Sequence, residues 1–178
     1  MGQNNNDHGG FGIVGADVPS ETLSNVYRTG PAVGRTLARL SEELTGLRDP
    51  LRDTKRTVPF TYLPQSLFDP EVTDWRLLEQ GRWRFADHIT LGEGRACVRL
   101  VRILSRYPAL FRSKILSLQD NQPIAGAFSK GRSPSPAVNF LARQKSATCL
   151  ARAFRLILPW VESRLMPADE ASRGLERQ

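Results

Sequence analysis

Three acids far apart in the chain, Glu93, Asp120 and Asp169, each stand beside a break in an apolar run. Asp120 follows the apolar stretch "KILSLQ", Asp169 lies eight residues past a run ending at Val161, and Glu93 opens an arginine-striped helical pattern. In open α/β sheets functional groups gather at the carboxyl ends of strands, where the chain turns outward into loops. Carboxylates brought together there raise one another's pKa, and a bound cation relieves the repulsion. Oxygen-only ligands suit hard Mg²⁺ or Mn²⁺, and two such ions about 4 Å apart can activate water and stabilise a leaving oxygen in phosphodiester cleavage. Each acid also has a structural reading. Asp120 before Pro123 fits helix capping, Glu93 fits a first-turn dipole partner, and Asp169 fits a turn residue.

The basic residues suggest a polyanion. Residues 1–73 carry 7 Lys and Arg against 9 Asp and Glu, a net −2, whereas residues 74–178 carry 18 against 9, a net +9. Arginine supplies most of this charge, and its planar fork matches phosphate. Arg95, Arg99, Arg102 and Arg106 fall on one helical face, either a line of backbone contacts for a duplex or a solvated face. Lys130 and Arg132 flank Gly131 in a "KGRS" turn, where backbone N–H groups and cationic side chains together can hold a phosphate. Trp75, Trp83 and Trp160 could stack bases but fit core or boundary packing better, and His88 reads as structural.

The elements that must position these residues follow from pattern. Residues 1–31, with "QNNNDHGGFG", read as a disordered leader. Val33, Leu37, Leu40, Leu44 and Leu47 then recur at helical spacing, so residues 32–56 read as an amphipathic helix and linker. "TVPFTYLP", 57–64, reads as an edge strand or an extended linker. A hairpin turning at Gln80-Gly81, or a short helix over 73–80, comes next. A helix is expected over 93–106, a strand over 114–118, a helix from Pro123, a longer one over 137–152 after Ser135-Pro136, and a strand over 154–161. This order predicts an α/β domain with a partly parallel sheet.

Composition narrows the classes. Hydrophobic content of 40% and charged content of 24% are globular values, and 178 residues suffice for one domain. Cys97 and Cys149 have no CxxC spacing, so neither a disulfide framework nor a zinc site is expected, and an intracellular location follows, nucleus or cytoplasm rather than secreted. No apolar stretch reaches the ~20 residues of a membrane span.

The stretch from His88 to Arg173 resembles the ribonuclease H-like domain that follows reverse transcriptase in retroelements, tyrosine-recombinase retrotransposons and related protist elements above all. Four ordered blocks carry the resemblance: "HIT", "LGE" and "RA" over 88–96, Asp120-Asn121, the Lys130 to Ser133 turn with Asn139, and Trp160, Val161, Ser163, Pro167, Ala168, Asp169, Ser172 and Arg173. It implies a ribonuclease H-like mixed sheet flanked by helices over 57–178, its N-terminal hairpin incomplete. It also implies Glu93, Asp120 and Asp169 as catalytic metal ligands for two Mg²⁺ or Mn²⁺ ions, and Asn121, Lys130, Arg132, Ser133 and Arg173 as nucleic-acid contacts. The partner would be an RNA–DNA hybrid or duplex, without a membrane, and the chain could be part of a polyprotein with a reverse transcriptase. The family's first strand carries an Asp, but "TVPFTYLP" has no acid, and Asp69 and Asp74 are the nearest substitutes. Two expectations therefore stand side by side: metal-dependent cleavage of RNA in hybrids, and a catalytically inactive nucleic-acid-binding remnant.

Overall fold

The structure, a computed structural model, describes residues 10–29, 37–40, 60–69, 71–83, 88–169 and 171. In chain order it comprises β1 (Gly10–Gly15), α1 (Ser20–Thr29), β2 (Leu37–Leu40), β3 (Phe60–Leu63), β4 (Arg76–Arg82), α2 (Ile89–Leu104), β5 (Lys114–Leu116), α3 (Gln122–Lys130), α4 (Pro136–Ala151) and β6 (Arg155–Ile157). The architecture is mixed α/β. Among the described residues the strands form three separate pairs: β1 with β4 antiparallel, β2 with β3 parallel, and β5 with β6 parallel. The single mixed sheet expected from the resemblance is not formed among them.

The C-terminal half starts and stops its elements by ordinary capping. Asn121 caps α3, its side-chain oxygen accepting from the Ile124 N–H at 3.1 Å, with Pro123 in the first turn. Ser135 caps α4 in the same way, with Pro136 as the first helical residue. α2 begins four residues before Glu93, because His88 serves as its cap, Nδ1 accepting from the Thr90 N–H at 3.2 Å. Glu93 is thus a second-turn residue with its side chain turned inward, rather than the helix entrance.

The main core lies where α2, α3 and α4 meet one face of the β5–β6 pair: Cys97, Val98, Ile124, Phe128, Val138, Leu141 and Leu158. Ile124 and Phe128 are buried essentially completely, and each contributes roughly 1.5–3 kcal/mol through the water its side chain sheds. Gly94 sets how closely α2 approaches, since a Cβ there would stand 3.0 Å from Leu141 Cδ1 and 3.1 Å from Ile124 Cδ1. The opposite face packs Leu63, Leu67, Leu118 and Val161 together. Lys145, buried on α4, donates from Nζ to the Phe128 carbonyl at 3.1 Å and so caps one of the carbonyls left over at the end of α3.

Three N-terminal expectations are corrected. The leader expected to be disordered contains β1 and α1, because the glycine-rich start finds a partner strand more than sixty residues on, with Phe11 and Ile13 buried. Residues 37–40 of the expected amphipathic helix form β2; "LARL" satisfies either period over so short a run, and parallel pairing with β3 satisfies its backbone. The rest of that helix lies outside the described residues. Gln80-Gly81 makes no turn, and no helix forms over 73–80: β4 runs straight through, with Gly81 opposite Phe11, whose Cε1 would be 2.9 Å from any Cβ there. "TVPFTYLP" does supply a strand, β3, so the folded unit draws on residues well before 57.

Candidate functional site

The parallel β5–β6 ladder continues beyond the named strands. The Ser117 N–H donates to the Ile157 carbonyl at 2.8 Å, Gln119 N–H to Pro159 at 3.0 Å, and Val161 N–H back to Gln119 at 2.8 Å. The chain leaves the ladder at Asp120, where the Trp160 indole N–H grips the Asp120 carbonyl at 2.7 Å. Since Asn121 performs the capping of α3, that role does not account for Asp120.

The half-buried Asp120 carboxyl is held above the ordinary aspartate value by burial first, and the neighbouring Asp169 charge pushes it further in the same direction. Hydrogen bonds from its own backbone N–H and the Ser163 hydroxyl oppose this. Glu93 is pushed up to about 7, by burial and then by Asp120. Asp120 is therefore the shared member of two couplings, raising Glu93 and being raised by Asp169. The Asp169 N–H closes a turn onto the Met166 carbonyl at 3.0 Å.

Among the described residues no group of three or more His, Cys, Asp or Glu side chains could hold a metal ion. The closed three-acid cage implied for two ions does not fit. A pair of carboxylates is a different matter, since Mg²⁺ is commonly held by one or two carboxylates together with substrate phosphates. Asp120 with either neighbour matches that donor set.

The turn after α3 departs from its expected use. Gly131, at φ 70°, ends the helix, and its N–H and that of Arg132 both donate to the Ala127 carbonyl. The Ser133 N–H is taken by Asn139 Oδ1 at 2.7 Å, while the Asn139 amide donates to the Ser133 carbonyl and the Ser133 hydroxyl accepts from the Ser135 N–H at 3.2 Å. The backbone N–H groups that could have received a phosphate are thus already committed. Only the exposed Lys130 and Arg132 side chains remain for that task. Arg173 lies outside the described residues.

The arginine stripe is largely a fastening. Arg99 pairs with Glu79 on β4 and lies 5.5 Å over the Phe11 ring, and Arg102 reaches Gln144 on α4 at 3.4 Å. The tryptophans are structural as well: Trp75 donates to the Leu67 carbonyl at 2.8 Å, Trp83 stacks against Phe11 with centroids 4.7 Å apart, and Trp160 holds Asp120. Cys97 is fully buried, its thiol pushed up to about 12 by burial, which excludes it as a nucleophile. A cavity of about 510 Å³ opens between β1 and β5 beneath α2, walled by Ile13, Leu100, Leu104 and Met166, with Glu93 and Gln119 among its polar lining. Sequence reasoning missed Ser163 and Trp160 as direct supports of Asp120, although both lie in the motif string around Trp160.

No helix among the described residues is long and apolar enough to cross a membrane. Comparison with known proteins gives no match: no family model, no curated protein and no solved structure matches this chain.

Proposed function

We propose that the chain is a nucleic-acid-binding domain of the ribonuclease H-like type whose partner is an RNA–DNA hybrid or a related duplex. The observation that carries this reading is charge: residues 94–161 hold 12 Lys and Arg with Asp120 as the lone acid, and Lys130 and Arg132 stand exposed on an internally braced turn at the C-terminal end of α3. Phosphate contacts of this kind set register and give salt-dependent affinity. Lys130→Glu with Arg132→Glu should weaken hybrid binding about tenfold or more at low salt, measured by anisotropy of a labelled hybrid. Affinity for the hybrid equal to wild type, or unchanged between low and high salt, would sink the proposal.

A second reading, cleavage of the RNA strand, is favoured by one observation: Glu93 and Asp120 are both held above their ordinary carboxyl range partly by a neighbouring acid, the signature of anions gathered without a counter-charge. A divalent cation held by Asp120 with Glu93 or Asp169 would supply that charge and polarise a phosphate oxygen. Glu93, half-buried and pushed up to about 7, divides between its protonated and ionised forms near neutral pH and is suited to hold a proton and release it as charge accumulates. Incubation of the hybrid with Mg²⁺ or Mn²⁺ decides it: cleavage abolished by Asp120→Asn supports the reading, and no metal-dependent cleavage rejects it.

A further inference from the structure

The end of the β5–β6 pair opposite Asp120 is built from two loops. One leaves α2 at its C-cap Ser105 and passes through a short 3₁₀ turn, Pro108–Leu110, before entering β5. The other leaves α4 at its C-cap Arg152 and enters β6. Backbone hydrogen bonds join them, from the Arg112 N–H to the Arg152 carbonyl at 3.5 Å and from the Arg155 N–H to the Ser113 carbonyl at 2.9 Å. Arg112 and Ala153 hold left-handed backbone angles, φ 62° and 54°, which side chains other than glycine adopt only at a cost.

Two aromatic rings flank the 3₁₀ turn with little cover: Tyr107 is 57% exposed and Phe111 is 52% exposed. The Arg112 guanidinium lies 5.4 Å over the Phe111 ring. Arg106, Arg112 and Arg152 are exposed around them, and no acid occurs between 94 and 119 or between 121 and 161. Both helices present their C-termini here, and the partial negative charge of their last carbonyls favours cations in these loops.

We propose that this pole, Arg106 to Arg112 with Arg152, is a docking platform for single-stranded nucleic acid, with bases stacked on Tyr107 and Phe111 and phosphates met by Arg106, Arg112 and Arg152. Charge complementarity selects a polyanion. Arginine forks pair with phosphate and also lie flat on rings, so Arg112 over Phe111 extends the stacking surface. The exposed rings select single strands, whose unstacked bases offer a π-face that a closed duplex keeps to itself. This surface is distinct from the Lys130 and Arg132 turn and goes beyond hybrid binding, so the two can fail separately.

The test uses the full chain and a labelled oligo-dT of about 20 nucleotides, followed by anisotropy at low salt. Tyr107→Ala with Phe111→Ala should weaken oligo-dT binding about tenfold or more. Hybrid affinity should stay within about twofold, because the phosphate contacts of the Lys130 and Arg132 turn are untouched. Arg112→Glu with Arg152→Glu should weaken oligo-dT binding further and flatten its salt dependence. Phe111→Trp should retain binding, and thermal melting should match wild type for all variants. Photocrosslinking of bromouracil-substituted oligo-dT to the unmodified protein, mapped by mass spectrometry, should mark Tyr107 or Phe111 and needs no variant to fold. The proposal is overturned if the ring variants bind oligo-dT as wild type does, if crosslinks fall elsewhere, or if Lys130→Glu with Arg132→Glu alone removes oligo-dT binding. It is equally overturned in favour of a lipid surface if anionic phosphatidylserine vesicles bind this pole and oligo-dT does not.

Discussion

The two ends of the β5–β6 pair differ in sign: Asp120, with Glu93 and Asp169 beside it, marks the carboxyl end, while Arg106, Arg112 and Arg152 mark the other. Parallel pairing dictates this contrast. A helix leaving a parallel strand begins at the carboxyl end, and a helix entering one finishes at the amino end, so helix N-termini gather at one pole and C-termini at the other. Here α3 starts beside Asp120, while α2 and α4 finish beside the arginines. The antiparallel β1–β4 pair imposes no such polarity: of its ion pairs, Glu79 with Arg99 ties strand to helix, and Arg76 with Asp74 joins neighbours at the start of β4. Charge along this stretch of sequence follows the helix dipoles. What the two poles then do depends on burial: the acids are half hidden and repel one another, whereas the arginines are open to solvent.

The comparison can be broken most severely at the scaffold both poles share. Phe128→Ala should cost about 3–5 kcal/mol, because the ring sits fully buried between α2, α3 and α4. Denaturant unfolding measures this loss, and binding at both poles should fall together. A smaller effect, confined to the acidic pole, is expected from Glu93→Gln. Glu93 moves from 4.5 to about 7 on folding, so between those values the folded chain keeps a proton that the unfolded chain has released. Its contribution therefore declines as pH rises through that window, and the loss is complete above about 7. The variant should remove this decline and gain up to about 3 kcal/mol at pH 8 relative to pH 5, read from melting at the two pH values. The same decline in the variant would assign it to other groups. The smallest effect is at a cap: Ser135→Ala should cost about 1 kcal/mol or less, since the hydroxyl accepts the Val138 N–H at a long 3.4 Å. The titration of Glu93 should not move in that variant, which would show the α4 cap and the acidic pole to be energetically separate.

From residue 89 onward the order of elements was legible in the sequence because its signals are local. Pro123 after Asn121 and Pro136 after Ser135 announce helix starts within four residues of where they act. The N-terminal half was not legible because its partners are remote. β1 reads as a glycine-rich leader until β4, more than sixty residues away in register, supplies its hydrogen bonds. Gly81 signalled a turn but instead makes room for Phe11, a reason no local window contains. At the candidate site the identities of Glu93, Asp120 and Asp169 were legible and their coupling through Asp120 was not, since it depends on the partial burial that the folded chain gives Glu93 and Asp120. The "KGRS" turn shows the converse error: its residues suggested a phosphate cradle, but Asn139, six residues on, occupies the Ser133 N–H.

Lys145 carries a consequence of another kind. Its amine is buried against the carbonyl end of α3, so an acylating reagent that tags the exposed lysines of the folded chain can reach it only when α4 lifts away. Its rate of labelling is a clock for that motion, set into the protein without any engineered probe. Lys130, exposed at the end of α3, labels without waiting and gives the clock its zero.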